Sequence, residues 1–233
     1  MIPTTDPIEN VAPARRFPLV NVLLIVANLL VFVCYELPHM DAAILHASFY
    51  PATLTGWRGP EPWEVSWVTA MFLHAGWSHL LGNMLFLFVF GNDVERVFGR
   101  LRYLVFYFAG GFAAMLMQAC MILLFSTAAA ARVPCLGASG AIAAVLGAYF
   151  VLYPRSHIVL FPIPIVLPAW LFLGFWFLYQ FVMAISGLLA PANNGVAFFA
   201  HVGGFVFGLV VTKILLGSGH FTRKERHGRW AEA

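Results

Sequence analysis

Six apolar runs, separated by shorter polar stretches, constrain this chain more than any other feature. A helix that crosses the hydrocarbon core of a bilayer needs roughly 20 apolar residues. The runs cover about 19–37, 75–92, 101–125, 139–153, 169–187 and 196–216. Hydrophobic residues make up 61% of the 233 residues and charged residues only 10%, too few to cover a water-soluble domain. We therefore expect an all-α integral membrane protein with six transmembrane helices, and we exclude an ordinary soluble enzyme, a disordered chain and a free nucleic-acid binder.

The positive charges gather on one side of such an arrangement. Six spans put both termini on the same side as the second and fourth loops, and that side holds 11 of the 13 Lys and Arg residues. The opposite side holds Arg58 and Arg132. Loops rich in Lys and Arg stay in the cytoplasm. The charge pattern therefore predicts that both termini are cytoplasmic.

These boundaries predict one membrane domain with a short segment at each end. We expect a cytoplasmic N-terminal segment over 1–16, a six-helix core over 17–216 and a basic cytoplasmic tail over 217–233. The first apolar run is long and follows acidic residues, which favours a retained helix over a cleaved signal peptide. The short ends and the six helices suit a multi-pass protein of a bacterial inner membrane.

The fourth predicted helix is unusually short. From Ser139 to Tyr153 it has 15 residues and spans about 22 Å, whereas the hydrocarbon core is about 30 Å thick. The helix therefore begins below the outer surface, and its lead-in over 133–138 enters the membrane as irregular backbone. Such backbone is tolerated where it is buried in protein or lines a watery cavity. The spacing thus predicts a cavity that opens outward beside Ser139.

Three polar side chains fall at a similar depth in three different helices. The second, fourth and sixth helices run inward from the outer side, and His79, Ser139 and His201 each lie near the outer end. Small residues, which let membrane helices approach closely, extend from two of them. The two stripes are Ser139, Ala143 and Gly147 in the fourth helix and His201, Gly204 and Gly208 in the sixth. If these stripes pack together, the hydroxyl meets the imidazole as a candidate nucleophile and general base.

Groups that could stabilise a developing negative charge surround the same serine. The sequence Gly-Ala-Ser-Gly over 137–140 allows a tight turn at Gly137, and the first N–H groups of the following helix are free to donate. His79 and Asn83 are four residues apart on one helix face and could add side-chain donors to an oxyanion hole. The sequence places no carboxylate at this depth in the membrane to complete a triad, so the predicted mechanism uses a Ser–His dyad.

Three motifs, in their order along the chain, resemble those of the rhomboid family of intramembrane serine proteases. They are the HAGWSHLLGN of 74–83, the GASG of 137–140 and the AHVGGFVFG of 200–208, and the likeness covers about 17–216. The resemblance implies a rhomboid-like core that cleaves transmembrane protein substrates within or near the bilayer. It also implies that Ser139 is the nucleophile, that His201 is the base, and that His79 and Asn83 support the oxyanion.

The resemblance extends to supporting residues. Glu95, within a GxxxExxxG pattern, resembles part of a structural motif that braces the first loop, and His74 matches a histidine regarded as scaffold. Gly204 and Gly208 belong to the small-residue stripe described above. Some members of the family carry a tyrosine one turn after the nucleophile. This chain has Ala143 there, which leaves open the group that orients His201.

Other interpretations of the same residues remain. Gln118 and Gln180 are expected to form interhelical hydrogen bonds. A catalytically inactive rhomboid-like protein would bind membrane helices without cutting them, but such relatives usually lack the serine or the histidine. A metal or haem site is disfavoured because HExxH and intramembrane acids are missing from the sequence, and a transporter because inverted repeats are not visible. We expect no cofactor, metal or nucleic-acid partner, and the oligomeric state stays open.

Overall fold

A computed structural model describes most of the chain. The described residues are 2–4, 17–60, 63–160, 165–189 and 197–218. The predicted terminal segments 1–16 and 217–233 therefore lie largely outside the described residues. The same holds for most of the terminal cations, namely Arg15, Arg16, Arg223, Lys224, Arg226 and Arg229.

Helices make up most of the described residues. In chain order they are α1 (Leu19–Val31), α2 (Met40–Ala47), α3 (Ser66–Thr69), α4 (Trp77–Phe86), α5 (Asn92–Phe98), α6 (Arg100–Phe125), α7 (Ala128–Ala131), α8 (Ser139–Leu152), α9 (Ala169–Leu189) and α10 (Phe198–Gly217). A π-helical turn at Phe32–Glu36 extends α1, and another at Leu87–Gly91 joins α4 to α5. Short 3₁₀ turns in the first loop cover Pro51–Thr55, Trp63–Val65 and Ala70–Phe72.

By length and composition, the described helices supply four or five membrane spans. Four are Leu19–Glu36, Arg100–Phe125, Ala169–Leu188 and Phe198–Gly217. The fifth is the pair Ser66–Phe72 and Trp77–Phe98, which is bent by 92° at its break. Helix α8 has only 14 residues, in agreement with the short fourth helix that the sequence predicts. A count of six spans depends on including α8.

The chain is mostly helical, as the expected all-α class requires, and a small β-sheet accompanies the helices. It contains β1 (Ile2–Thr4), β2 (His157–Leu160) and β3 (Ile165–Pro168), antiparallel and in the order β1-β2-β3. Branched apolar residues favour strands, and proline cannot lie inside a helix or a paired central strand. The prolines near 162–168 therefore leave two short strands where a continuous helix cannot form. Helix α9 begins at Ala169, directly after the last of these prolines, as the sequence predicts.

Helix α8 forms the centre of the bundle. Eleven of its 14 residues are buried, because it is apolar on every side and other helices surround it. Helix α10 packs directly against it through glycines: a Cβ added to Gly208 would lie 2.7 Å from the carbonyl carbon of Ala144, and one added to Gly147 would lie 2.9 Å from the backbone nitrogen of Leu209. The two backbones are therefore in contact. A Cβ added to Gly204 would lie 3.1 Å from Cβ of Ala143, so the two small-residue stripes pack together.

Candidate active site

Irregular backbone leads into α8 and is held by the first loop. Phe49 and Cys135 exchange two backbone hydrogen bonds, with N···O distances of 3.0 and 2.7 Å. The N–H of Gly137 donates to the carbonyl of Ala70 at 2.8 Å. The lead-in predicted over 133–138 is thus non-helical, and at Cys135 and Gly137 its backbone hydrogen bonds are made with other parts of the chain. Ser139 follows as the first residue of α8.

Gly137 sets the turn that presents Ser139. Its φ angle of +120° lies in a region that residues with a side chain rarely adopt. A Cβ at this position would also lie 2.9 Å from Nε2 of His79 and 3.5 Å from Oγ of Ser139. The imidazole of His79 therefore packs directly against the turn that carries the serine, which brings the predicted residues of α4 and α8 together.

Ser139 and His201 form a hydrogen bond between α8 and α10. The distance from Oγ of Ser139 to Nε2 of His201 is 2.8 Å. His201 is the fourth residue of α10, and Gly204 and Gly208, about one and two turns further along this helix, set how closely it approaches α8. The geometry that the two stripes predict is thus present: a hydroxyl donor beside an imidazole nitrogen.

The second imidazole nitrogen of His201 contacts a residue from α9. Its Nδ1 lies 2.8 Å from Oε1 of Gln180, whose side chain is buried. A Gln oxygen only accepts hydrogen bonds, so the proton of the neutral imidazole resides on Nδ1 and the lone pair on Nε2 faces Ser139. The indole of Trp176, one turn before Gln180, lies over the same imidazole, with ring centroids 5.9 Å apart.

The expected interhelical hydrogen bonds of the two glutamines are present. Oε1 of Gln118 in α6 accepts from the backbone N–H of Ala200 at 3.1 Å, and Gln180 contacts His201. Sequence reasoning did not connect Gln180 with the dyad. Trp176 and Gln180 are four residues apart, so they share one face of α9. This shared face was the feature of the sequence that could have drawn attention to Gln180.

Hydrogen-bond donors that could stabilise a negative charge are found on α4 and at the start of α8. The backbone N–H of Ala75 donates to Nδ1 of His79 at 3.3 Å, which leaves the proton of that imidazole on Nε2, the atom next to Gly137. Asn83 lies one turn further along α4; its Nδ2 is buried and has no acceptor among the described residues. The first N–H groups of α8 lack partners within the helix. Such donors suit an oxyanion.

A small cavity adjoins Ser139. It has a volume of about 30 Å³, and its lining includes Ser139, Gly140, Met71, Met115 and Cys135. About 30 Å³ is the share of one water molecule in the liquid. The cavity can thus accept one water molecule or a very small side chain next to the serine hydroxyl.

A larger cavity lies elsewhere, and its lining contains no serine or cysteine. It has a volume of about 480 Å³ between the first loop and the segment before α8, and Asp41, Tyr50 and Trp57 line it together with Arg132. The guanidinium of Arg132 lies 5.7 Å from the centre of the Trp57 ring. None of the site residues that the sequence predicts lines this cavity. We therefore assign the candidate active site to Ser139.

The predicted supporting residues His74 and Glu95 lie in different parts of the structure. His74 is fully buried beside His79, with ring centroids 5.1 Å apart, and its backbone N–H donates to Oε1 of Glu36 at 2.6 Å. Glu95 contacts the start of α1, and a bracing of the first loop by its motif stays a prediction. Its carboxylate accepts from the backbone N–H groups of Val20 at 3.1 Å and Asn21 at 2.6 Å. Free N–H groups at a helix start attract a carboxylate, which explains this contact.

Comparisons with known proteins agree with the motifs. The family model described as Rhomboid domain matches residues 60–218. RHOMBOID-like protein 6, mitochondrial, of Arabidopsis thaliana is 33% identical over 159 residues, which cover 68% of this chain and 45% of the relative. Rhomboid-related protein 2 of Mus musculus is 33% identical over 57% of this chain and 42% of the relative. Presenilin-associated rhomboid-like protein A, mitochondrial, of Danio rerio is 27% identical over 84% of this chain and 47% of the relative.

Two features of these matches bear on the expectations from the sequence. The chain spans less than half the length of each of the three relatives. The matches and the spans together support an integral multi-pass membrane protein. All three relatives are eukaryotic and two are named mitochondrial, so the comparisons do not support the bacterial inner membrane that we expected.

Proposed function

The chain belongs to the rhomboid family, and on this premise we propose that it is an intramembrane serine endopeptidase. It hydrolyses peptide bonds in or near the transmembrane segments of membrane proteins by a Ser–His dyad. The observation that carries the proposal is the 2.8 Å hydrogen bond between Oγ of Ser139 and Nε2 of His201. A structural serine in a membrane helix typically bonds a backbone carbonyl of its own helix, whereas this hydroxyl faces an imidazole in the tautomer that a base requires.

In the first step, Ser139 attacks the carbonyl carbon of the scissile peptide bond. Nε2 of His201 takes the hydroxyl proton as the new C–O bond forms. When the C–N bond breaks, the same nitrogen returns that proton to the leaving amine. A water molecule then repeats the sequence on the acyl-enzyme and releases the carboxylic acid, which restores the Ser139 hydroxyl.

In the proposed mechanism, three kinds of donor stabilise the charge that develops on the carbonyl oxygen. These are the Nε2–H of His79, the side-chain amide of Asn83 and the first N–H groups of α8. The unpaired, buried Nδ2 of Asn83 supports this role, because a buried donor without an acceptor is costly unless a ligand or intermediate supplies one. Each such donor typically contributes about 10²–10³ in rate.

The proposed substrates are transmembrane helices with small or helix-breaking residues near the cleavage site. A helical peptide bond is shielded by its neighbours, so the segment has to unwind before Ser139 can reach the carbonyl carbon. The cavity of about 30 Å³ beside the serine favours a small side chain at the cleaved bond. The substrates therefore differ from those of a soluble protease that binds extended chains.

The proposed topology has six spans with both termini in the cytoplasm, and one membrane domain over 17–216. Pairing of β1 with β2, between Ile2 and Val159, supports it, because the pairing puts the N-terminus on the same side as the loop after α8. Fusions to green fluorescent protein and to alkaline phosphatase after residue 233 test this topology. Fluorescence without phosphatase activity is expected for a cytoplasmic end, and the reverse would contradict the six-span arrangement.

A fluorophosphonate probe tests the proposed nucleophile without a known substrate. Wild type in detergent is compared with Ser139→Ala and His201→Ala, and with Ser78→Ala, which removes an exposed hydroxyl on α4. Wild type and Ser78→Ala should label, and the other two variants should not. Thermal unfolding of each variant establishes that it is folded.

A cleavage assay completes the test. The reporter joins two tags through one transmembrane helix with small residues near its outer end, and it is reconstituted with the protein in liposomes. Cleavage that persists in Ser139→Ala would overturn the dyad. Failure of folded wild type to label or cleave would instead favour the alternative, an inactive rhomboid-like protein that binds membrane helices.

A further inference from the structure

We propose that Gln180 is a positioning residue that fixes the tautomer and the orientation of His201. This inference deepens the proposed function and rests on it. It supplies the group left open by Ala143, which has no side-chain acceptor to offer. Ser139 of α8, His201 of α10 and Gln180 of α9 would then act together through two hydrogen bonds, without any carboxylate.

The contacts around the His201 ring carry the argument. Nε2 lies 2.8 Å from Oγ of Ser139, and Nδ1 lies 2.8 Å from Oε1 of Gln180. Both distances are within the normal range for hydrogen bonds, so each ring nitrogen has one partner. Trp176 covers the ring from α9, and Phe198 meets it edge-on at 6.3 Å between centroids. The ring is thus held by an acceptor on one nitrogen and by apolar rings around it.

The proton balance explains why an acceptor is needed on Nδ1. A neutral imidazole carries one proton, and a base requires Nε2 to be free of it. The Gln180 oxygen favours the proton on Nδ1 by accepting from it. After Nε2 takes the Ser139 proton, the imidazolium keeps its Nδ1–H bond to the same oxygen, now charge-assisted and therefore stronger. Without this acceptor, both tautomers are populated and the ring can turn.

A purely structural role predicts different behaviour from that of a positioning residue. An interhelical hydrogen bond of Gln180 would stabilise the bundle, and its loss would lower stability without a specific effect on catalysis. Gln118 offers the matched case, because it is also a buried glutamine that accepts a hydrogen bond from α10, from the Ala200 backbone one residue before His201. Gln118→Leu therefore reports the cost of losing a buried glutamine contact to this helix.

The experiment compares four variants with wild type. Gln180→Leu removes the acceptor, Gln180→Asn shortens the side chain, and Gln180→Glu keeps an oxygen acceptor at the same reach. Gln118→Leu is the control. The readouts are the rate of fluorophosphonate labelling, kcat and KM on the transmembrane reporter, thermal unfolding, and ¹⁵N NMR of histidine-labelled protein, with His201→Ala used to assign the His201 signal.

We expect kcat and labelling to fall on the order of 10–10²-fold in Gln180→Leu and Gln180→Asn, with KM unchanged, since general-base catalysis as a whole contributes about 10²–10⁴-fold. Gln180→Glu should stay within a few-fold of wild type. The ¹⁵N spectrum of His201 should show the Nδ1–H tautomer in wild type and a mixture in Gln180→Leu. Gln118→Leu should lower thermal stability and leave kcat and the His201 spectrum unchanged.

Two results would overturn the inference. One is equal kcat in Gln180→Leu and Gln118→Leu at equal folded fraction, and the other is an unchanged His201 tautomer in Gln180→Leu. If Gln180→Leu does not fold, the kcat values of Gln180→Asn and Gln180→Glu are compared instead. A lower kcat in Gln180→Asn supports the inference, and equal values overturn it. Wild type that neither labels nor cleaves would refute the proposed function instead, and the tautomer measurement, which needs no activity, would still decide the role of Gln180.

Discussion

Replacement of Gly208 by alanine should slow the proposed reaction by separating α10 from α8. An added Cβ would overlap the carbonyl oxygen of Ala144 and lie 2.7 Å from its carbonyl carbon. Non-bonded carbon atoms pack at about 3.5–4.0 Å. Both contacting groups belong to a helical backbone and cannot rotate away. The helices must therefore part by about 0.8–1.3 Å at this point.

This displacement is large compared with the tolerance of the dyad. Ser139 and His201 are joined at 2.8 Å, and a separation of about 3.6 Å is no longer a hydrogen bond. A misplacement of about 1 Å can cost about 10²-fold in rate. Overpacking also costs about 1–3 kcal/mol of stability, partly offset by about 1 kcal/mol from the better helix propensity of alanine. We expect labelling by fluorophosphonate to fall by about 10- to 10²-fold in protein that is still folded.

Gly174→Ala is the matched control. Gly174 lies inside α9, and an added Cβ would meet no heavy atom within 4 Å. The two variants therefore make the same chemical change in a helix interior, and only one meets a neighbouring backbone. Labelling rates are measured in detergent beside thermal unfolding, so that loss of folded protein is separated from loss of rate.

Two results would refute the reasoning. Gly208→Ala that is folded and labels at the wild-type rate would mean that α8 and α10 adjust without moving His201. Equal slowing in Gly174→Ala would mean that the effect comes from alanine in the helices and not from the contact between their backbones.

Three further predictions concern residues around the site and the start of α1. Asn83→Ala should slow labelling by about 10²-fold and leave some activity, because one oxyanion donor is lost; an unchanged rate, measured as above, would remove Asn83 from the oxyanion hole. Glu95→Ala should destabilise the protein by about 1 kcal/mol, because two N–H groups at the start of α1 lose their acceptor; thermal unfolding measures this, and an unchanged midpoint would contradict it. Tyr103→Phe removes a hydrogen bond of 2.6 Å to Oδ1 of Asn21 and should also cost about 1 kcal/mol in the same assay, whereas a neutral effect would indicate that the buried amide finds another donor.

The sequence predicted the parts of the site that depend on helix periodicity. Ser139 and His201 each stand at the outer end of a stripe of small residues, and glycine permits only a few ways for two such stripes to pack. The short α8 and its irregular lead-in followed from a count of apolar residues against the thickness of the bilayer. These features are local in sequence, so pattern and length were enough to predict them.

Other features depend on contacts that periodicity does not determine. Helix α9 is apolar apart from a few residues; Trp176 and Gln180 mark one of its faces, but the sequence does not say which residue of α10 that face meets, so the approach of Gln180 to His201 could not be predicted. The sheet of β1, β2 and β3 is formed by segments far apart in the chain. The contact of Glu95 with α1 could not be predicted for the same reason, because the start of α1 lies more than 70 residues earlier in the chain.

The separation of the dyad between α8 and α10 has a consequence for biosynthesis. Ser139 and His201 are 62 residues apart, so at about 5–20 residues per second the serine is translated about 3–12 s before its partner. In the proposed mechanism the nucleophile lacks its base during that interval, so the nascent chain cannot yet hydrolyse peptide bonds. Inactivity during synthesis would thus follow from the order of the helices.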